Sequence, residues 1–343
     1  MQAVRLHPSP RPSTPYSPTN PAPPSVLKLD HNLPIPLVSK PDEILIRVKA
    51  STIIRDTLTW PETYIHEYAI PGNDFSGVVV AVSDTSDSSF KPGDELFGMA
   101  HVDRSSTWAE YVLVRTNEVA LKPASLSWEE AASVPLSAQT AYEALFVHAG
   151  VSVLVPDNNN NSNTRTSNPQ TVLITGAAGG VGIYLVQLAR LAGLHVVVAT
   201  SSNTRNAEFL RDLGAHETVE YDEVLQTQST PFDIIIDTVG GNILDRCWDL
   251  VVPVTGCLIS VDSASANFVQ EHEKKGLSRS GIKALAFIVQ GSSESLQALA
   301  RFVDTGALRV FVHSSYPLSQ VVEAYERAHE RGGSSRGKVV LTV

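Results

Sequence analysis

A short apolar run that stops abruptly in glycines fixes the architecture of the second half of this chain. Thr171-Val172-Leu173-Ile174-Thr175 leads directly into Gly176-Ala177-Ala178-Gly179-Gly180-Val181-Gly182, and a helical pattern runs from Val181 to Leu191. A strand, a bare turn and a helix in that order aim backbone N–H groups and a helix N-terminus at one point, with no side chain blocking approach. The amides of Ala178, Gly179, Gly180 and Val181 would line a seat for a pyrophosphate, so a dinucleotide is the expected ligand.

The next strand, His195 to Ala199, bears on which dinucleotide. A binder that holds the adenosine ribose by its 2′-hydroxyl places Asp or Glu about 20 residues after the glycines. Here Thr200-Ser201-Ser202-Asn203-Thr204-Arg205 stands instead, with no carboxylate. The hydroxyl of Ser201 and the guanidinium of Arg205 suit a 2′-phosphate, which points to NADPH. A plainer role for the same residues is a helix cap at Ser202 and a solvated charge at Arg205.

The rhythm continues with a helix from Asn206 to Leu213 closed by Gly214, and strands Phe232–Asp237 and Cys257–Val261. Alternation of apolar strands with helices means a parallel sheet covered on both faces. The first half reads differently. Ile44–Ala50, Phe75–Val82, Glu95–Gly98 and Ala109–Val114 are short strands separated by turn signals such as Lys91-Pro92-Gly93-Asp94, the pattern of a small barrel-like β domain. Ser127 and Glu130 form a capping box for a helix. Residues 8–25 hold eight prolines and are expected to wrap the surface or move freely. Residues 156–170 begin with Pro156-Asp157 and a polar, Asn-rich run and are expected to be disordered. The chain closes with a helix Ser293–Asp304, a strand, a helix Leu318–His329 and a strand Lys338–Val343, a tail expected to return to the first domain.

Charge and composition exclude several classes. With 36 acidic against 26 basic residues the net charge is −10, which repels phosphate backbones and anionic lipid, so nucleic acid and membrane are not expected partners. The N-terminus lacks the basic-then-apolar pattern of a secretory signal, and a cytoplasmic protein is expected. Cys247 and Cys257 are the two cysteines, too few for a four-thiolate zinc site.

Several stretches together make the chain resemble the zinc-independent medium-chain dehydrogenases/reductases of the quinone oxidoreductase and enoyl reductase type. They are Pro71–Val79, Phe90–Asp94, Ala109–Val112, the glycine turn, Leu213-Gly214-Ala215 and Gly337–Leu341. The resemblance covers nearly all of the chain apart from the proline-rich and asparagine-rich segments. It implies an α/β protein in which a Rossmann domain, a doubly wound parallel sheet over residues 139–289, is inserted into a GroES-like β-barrel catalytic domain of residues 1–138 and 290–343. It further implies that Thr140 touches the nicotinamide side, that Tyr221 approaches the adenosine phosphate, and that Gly241 sits in a second glycine turn. Phe287 and Val289 would match a short strand whose backbone meets the carboxamide. A homodimer joined through the edge at Leu285–Gln290 is expected by the same analogy.

The resemblance also implies no metal. Zinc-dependent relatives carry a Cys within the stretch matching Ala50–Asp56 and a His-Glu pair after Gly72, where this chain has Ser51-Thr52-Ile53-Ile54-Arg55-Asp56 and Asn73-Asp74. A catalytic zinc needs three protein ligands. A site lacking them favours hydride delivery to an enone, enoyl or quinone substrate, because the charge spreads over an enolate that hydrogen-bond donors can hold. Asp56, Tyr64 and Tyr142 are the candidates for orienting substrate or supplying a proton, with Tyr111 as a further tyrosine. One departure stands out: the quinone reductases carry Asn where this chain has Ile53. Two other readings stay open. One is a pathway-specific alcohol dehydrogenase or carbonyl reductase, whose bulky substrate would suit Ile53, Ile54, Leu58 and Trp60. The other is a non-catalytic relative that keeps NADPH as a structural ligand.

Overall fold

In the computed structural model, residues 1–11, 13–83, 89–153, 169–226, 231–330 and 336–343 are described. The asparagine run with its Asn160 sequon lies outside them. The chain divides into two compact units, Met1–Gln139 with Gln290–Val343, and Thr140–Val289.

The first unit is built on β1 (Ala3–Leu6), β2 (Leu27–Asp30), β3 (Glu43–Ile53), β4 (Asp74–Val82), β5 (Glu95–Met99), β6 (Tyr111–Arg115) and β7 (Val119–Leu121). Helix α1 (Trp128–Ala132) follows, and α2 (Pro135–Tyr142) passes into the second unit at Thr140 and runs on there into a π-helical stretch, Glu143–His148. Strand β3 organises this unit. It pairs antiparallel with β4 along one edge, with β6 through Glu43–Arg47 and with the terminal strand of the chain through Ala50–Ile53. Two register shifts against β4, between Leu45 and Ile46 and between Val48 and Ala50, mark irregularities of the kind that bend a sheet. Inward residues Ile44, Ile46, Val48, Phe75, Leu96, Val112 and Val114 form one core cluster. Each such side chain, fully buried, contributes about 1.5–3 kcal/mol.

The second unit holds β8 (Thr171–Thr175), α3 (Gly182–Leu191), β9 (His195–Thr200), α4 (Asn203–Leu213), β10 (Glu217–Glu220), α5 (Tyr221–Gln226), β11 (Ile234–Asp237), α6 (Gly241–Leu250), β12 (Cys257–Ser260), α7 (Phe268–Lys274) and β13 (Lys283–Ala286). All its strands are parallel, in the order β10-β9-β8-β11-β12-β13. The order reverses between β8 and β11, and such a reversal opens the crevice where ligands settle beyond the carboxyl ends of strands. Val172, Leu173, Ile174, Ile235, Ile236, Leu258 and Ile259 are all buried, as residues covered on both faces must be.

The chain returns to the first unit through α8 (Ser293–Asp304), β14 (Val312–Pro317), α9 (Val321–His329) and β15 (Lys338–Thr342), and β15 pairs with β3. Helix α8 buries Leu296, Leu299, Phe302 and Val303 at helical spacing and is capped by Ser292, whose hydroxyl accepts from the Ser295 N–H. The buried Gln139 carbonyl accepts from both the Ser292 N–H and the Ser295 hydroxyl, at 2.8 and 2.6 Å, so the two chain segments that close this unit are tied by one side chain.

The proline-rich segment wraps the first unit with a definite anchor: Ala22 is buried among Leu58, Tyr325 and Trp108, and its N–H donates to the Tyr64 hydroxyl. One strand is shorter than the sequence implied. The edge expected over Leu285–Gln290 is Lys283–Ala286, because the partner β12 ends at Ser260 opposite Ala286 and offers nothing further to pair with.

Candidate functional site

Polar groups collect at the carboxyl ends of the parallel strands: Thr175 on β8, Thr200 on β9, Glu220 on β10, Asp237 on β11 and Ser260 on β12. Asp237 is fully buried and organises the centre. Its carboxylate accepts from the Thr175 hydroxyl at 2.6 Å, the Ser260 hydroxyl at 3.0 Å and the Gly240 N–H at 2.9 Å. Burial pushes its carboxyl above the usual range, opposed by those hydrogen bonds. Thr238 adds a second staple, its N–H on the Thr175 hydroxyl and its own hydroxyl on the Thr175 carbonyl. The turn after β8 and the turn after β11 are thereby fixed to each other, and Gly241 begins α6 within the second.

The glycine turn is shaped for close approach. A Cβ on Gly182 would meet the Gly176 carbonyl at 2.4 Å and the Ala177 backbone at 2.6 Å, so only glycine lets α3 start this near β8. A Cβ on Gly179 would meet nothing nearer than the Gly176 carbonyl at 3.1 Å, and Gly179 is exposed. One glycine therefore serves packing and the other leaves an open face just before α3, its own N–H donating to the Gly176 carbonyl at 2.8 Å. Tyr221, the first residue of α5, accepts from the Gly176 N–H at 3.1 Å, so its hydroxyl stands at this turn.

At the end of β9, Ser201 and Arg205 are exposed, and Ser202 occupies the N-cap position of α4 without a side-chain cap bond. The cap is supplied from elsewhere. Glu220, opposite Thr200 in the β9–β10 register, accepts from the Asn203 N–H at 2.5 Å. β9 itself ends without a carboxylate, yet its neighbour brings one to the same place. Sequence reasoning missed Glu220 because it counted along β9 alone; parallel pairing of β10 was the signal that could have found it.

Thr140 is buried on α2, and Tyr142 stacks edge-on against Phe146 with centroids 4.7 Å apart. Phe287 lies past the end of β13 against His148, centroids 4.1 Å apart, and Val289 is buried. Burial lowers the His148 imidazole from its ordinary value.

In the first unit, Asp56 and Tyr64 come near each other through Tyr325. The Tyr325 hydroxyl donates to the Arg55 carbonyl at 2.6 Å and accepts from the Leu58 N–H at 3.1 Å, and burial pushes its phenol up to about 12. Tyr64 donates to the Leu58 carbonyl at 2.5 Å, and burial raises its phenol as well. Asp56 accepts from the Arg55 guanidinium at 3.3 Å. Ile53 and Leu58, read from the sequence as suiting a bulky substrate, belong instead to the core cluster with Trp108, Tyr325 and Leu341.

The positions where zinc-dependent relatives bear ligands are otherwise engaged. The Ser51 hydroxyl donates to the Asp74 carbonyl, Thr52 to the Asp74 carboxylate at 2.5 Å, and the Asn73 amide to the Ala100 carbonyl. Asp74 also accepts from the Leu136 N–H at 2.6 Å, at the start of α2, and pairs with the buried Lys338 at 3.5 Å. Hydroxyls and an amide already spent on internal bonds do not fit zinc. Among the described residues no group of three or more His, Cys, Asp or Glu is placed to hold a metal ion. None of their helices is long and apolar enough to cross a membrane.

Comparison with known proteins agrees with this architecture. Residues 40–124 match the alcohol dehydrogenase GroES-like domain, and residues 213–341 match the domain described as zinc-binding dehydrogenase. A probable zinc-binding oxidoreductase, mitochondrial, of Arthroderma benhamiae is 33% identical, over 88% of each chain. The 2-methylene-furan-3-one reductase of Solanum lycopersicum is 31% identical over 92% of this chain and 75% of its own. A mitochondrial protein of Danio rerio named NAD(P)H oxidoreductase RTN4IP1 is 28% identical over 93% of this chain and 88% of its own. Among solved structures, the quinone oxidoreductase of Coxiella burnetii superposes with a TM-score of 0.80 at 28% identity, covering 100% of this chain and 99% of that one. The chain belongs to the medium-chain dehydrogenase/reductase family, among its quinone oxidoreductase-like members. It is an oxidoreductase of that family, and its parallel-sheet unit is of the kind that takes a nicotinamide coenzyme.

Proposed function

We propose that this protein is an NADPH-dependent reductase of small, apolar, conjugated carbonyl compounds or quinones, working without a metal. The observation that carries the reading is the glycine turn between β8 and α3, open at Gly179 and flanked by the Tyr221 hydroxyl, with Ser201 and Arg205 exposed at the end of β9. The residues present fit the coenzyme. The Gly179 N–H is already given to the Gly176 carbonyl, so the amides of Ala178, Gly180 and Val181 would take its pyrophosphate, Ser201 and Arg205 its 2′-phosphate, Thr140, Phe287 and Val289 its nicotinamide half, and Gly241 would leave room at the second turn. When bound, it supplies a hydride for the β-carbon of the substrate. The printed names of the tomato furanone reductase and the Coxiella quinone oxidoreductase support that substrate class.

A proton must then reach the enolate. The Tyr64 proton is committed to the Leu58 carbonyl, and the Asp56 carboxylate accepts from Arg55. Among the described residues the Tyr142 hydroxyl makes no hydrogen bond, its ring resting on Phe146, so Tyr142 is the donor this reading favours. The test is NADPH oxidation across a panel of enones and quinones, with a chelator present. Turnover that survives the chelator and falls about 10²–10⁴-fold in Tyr142→Phe is the expected result. Alcohol–ketone interconversion with no enone or quinone turnover would replace this reading with the carbonyl reductase, and coenzyme binding without any turnover would replace it with the structural ligand.

A homodimer would form through β13, which lies at the edge of the parallel sheet, and light scattering tests it. The cytoplasm is the compartment read from the sequence, whereas two of the relatives above carry "mitochondrial" in their names; fractionation decides between them.

A further inference from the structure

The end of the β9–β10 pair carries opposing chemistries. Ser201 and Arg205 offer a hydroxyl and a cation to a phosphate. Between them in space of sequence lies Asn203, the first residue of an eleven-residue helix, whose N–H is an anion seat by position. That seat is taken by the Glu220 carboxylate at 2.5 Å. Glu220 reaches it because the parallel register sets it opposite Thr200. The next residue, Tyr221, has its hydroxyl on the Gly176 N–H, so one dipeptide addresses both the helix N-terminus and the glycine turn.

A second observation concerns hydrogen-bond polarity. The Asn203 amide nitrogen donates to the Thr218 carbonyl, while its Oδ1 is buried and has no partner. Two acceptors, a carboxylate and an amide oxygen, thus belong to one small place. A ribose hydroxyl can donate to such acceptors. A phosphate dianion cannot, and it is repelled by the carboxylate.

We propose that Glu220 is the coenzyme-selecting residue of this protein: it accepts a ribose hydroxyl of NADH, and the 2′-phosphate of NADPH must displace it from the Asn203 N–H. This rests on the reading above, that a nicotinamide dinucleotide docks across these strand ends. It refines that reading, because Arg205 and Glu220 then pull in opposite directions, and Glu220 narrows the preference for NADPH that Ser201 and Arg205 alone would set.

The test is calorimetric titration of the full chain with NADPH and with NADH, in wild type and in Glu220→Gln. Glutamine keeps an acceptor for the Asn203 N–H and removes only the charge, and a thermal melt of each protein verifies folding. Glu220→Gln is expected to tighten NADPH about tenfold, the scale of one hydrogen-bonded charge, and to weaken NADH. Displacement of bound NADPH by 2′,5′-ADP should be unchanged in Glu220→Gln, because both carry the 2′-phosphate and gain alike, while displacement by 5′-AMP should become about tenfold harder. If both coenzymes bind wild type and the ratio of their affinities is the same in Glu220→Gln, the role of Glu220 is refuted and dinucleotide docking stands. If neither coenzyme binds wild type, docking fails, and the selection by Glu220 fails with it.

Discussion

The carboxyl ends of the parallel strands and the segment that follows β3 both gather hydroxyls, carboxylates and phenols, and they use them in opposite ways. At the strand ends the buried groups, Asp237, Thr175 and Ser260, are spent on holding two turns together, while Ser201, Arg205 and the face of Gly179 remain open to solvent. Around the segment after β3 the phenols and the central carboxylate are turned inward: Tyr64 on Leu58, Tyr325 on Arg55 and Leu58, Asp74 on Thr52, Leu136 and Lys338. A cluster of polar side chains is therefore no measure of a reactive site. What distinguishes the two is whether the groups are buried in the protein or exposed to solvent.

If that distinction holds, damage to the inward-turned groups reads out as lost stability. Asp74→Ala leaves Lys338 buried without its anion and should cost about 3–5 kcal/mol in urea denaturation. Tyr64→Phe strips the partner from the Ala22 N–H and the Leu58 carbonyl, so a loss of about 1–3 kcal/mol is expected, with turnover of the folded enzyme retained. A Tyr64→Phe protein of native stability that has lost turnover would reverse the contrast. The open groups should behave the other way: Arg205→Ala should leave the melting curve in place and weaken NADPH by about tenfold.

The smallest effect is with pH. Burial holds His148, His216 and His313 below their ordinary values, so the unfolded chain takes up protons first. Stability should fall as pH drops through the free-histidine value of about 6.5 toward the lower folded values, and level off beneath them. His148 and His216 belong to the parallel-sheet unit and His313 to the other. Melts at a series of pH values for His216→Gln and His313→Gln would apportion the slope, and each should flatten it.

The sequence spoke most clearly where backbone alone does the work. The glycine turn, the capping box at Ser127 and Glu130, and the apolar strands β8, β11 and β12 follow from spacing and residue type. Side chains were harder to read. Asp56 and Tyr64 look like acid and base in a string of letters, yet the Asp56 carboxylate accepts from the Arg55 guanidinium and the Tyr64 hydroxyl is held between the Leu58 carbonyl and the Ala22 N–H, 42 residues away. Ile53 reads as a pocket wall and is core, because β15 and α9 cover it. Glu220 reads as nothing in particular until β10 is laid beside β9. For Tyr64, Ile53 and Glu220 the missing information was a contact from another segment of the chain, which periodicity does not contain.

Titration of Gly179→Val with NADPH reaches the centre of this account most directly. An added Cβ would meet the Gly176 carbonyl at 3.1 Å, a tight approach that asks for a small local shift, so a thermal melt of the apoprotein is run beside the titration and should show a folded protein. Coenzyme affinity should drop more than about tenfold, because the valine stands where the pyrophosphate would approach the amides. A Gly179→Val protein that folds and binds NADPH as tightly as wild type would mean that the coenzyme does not lie on this turn.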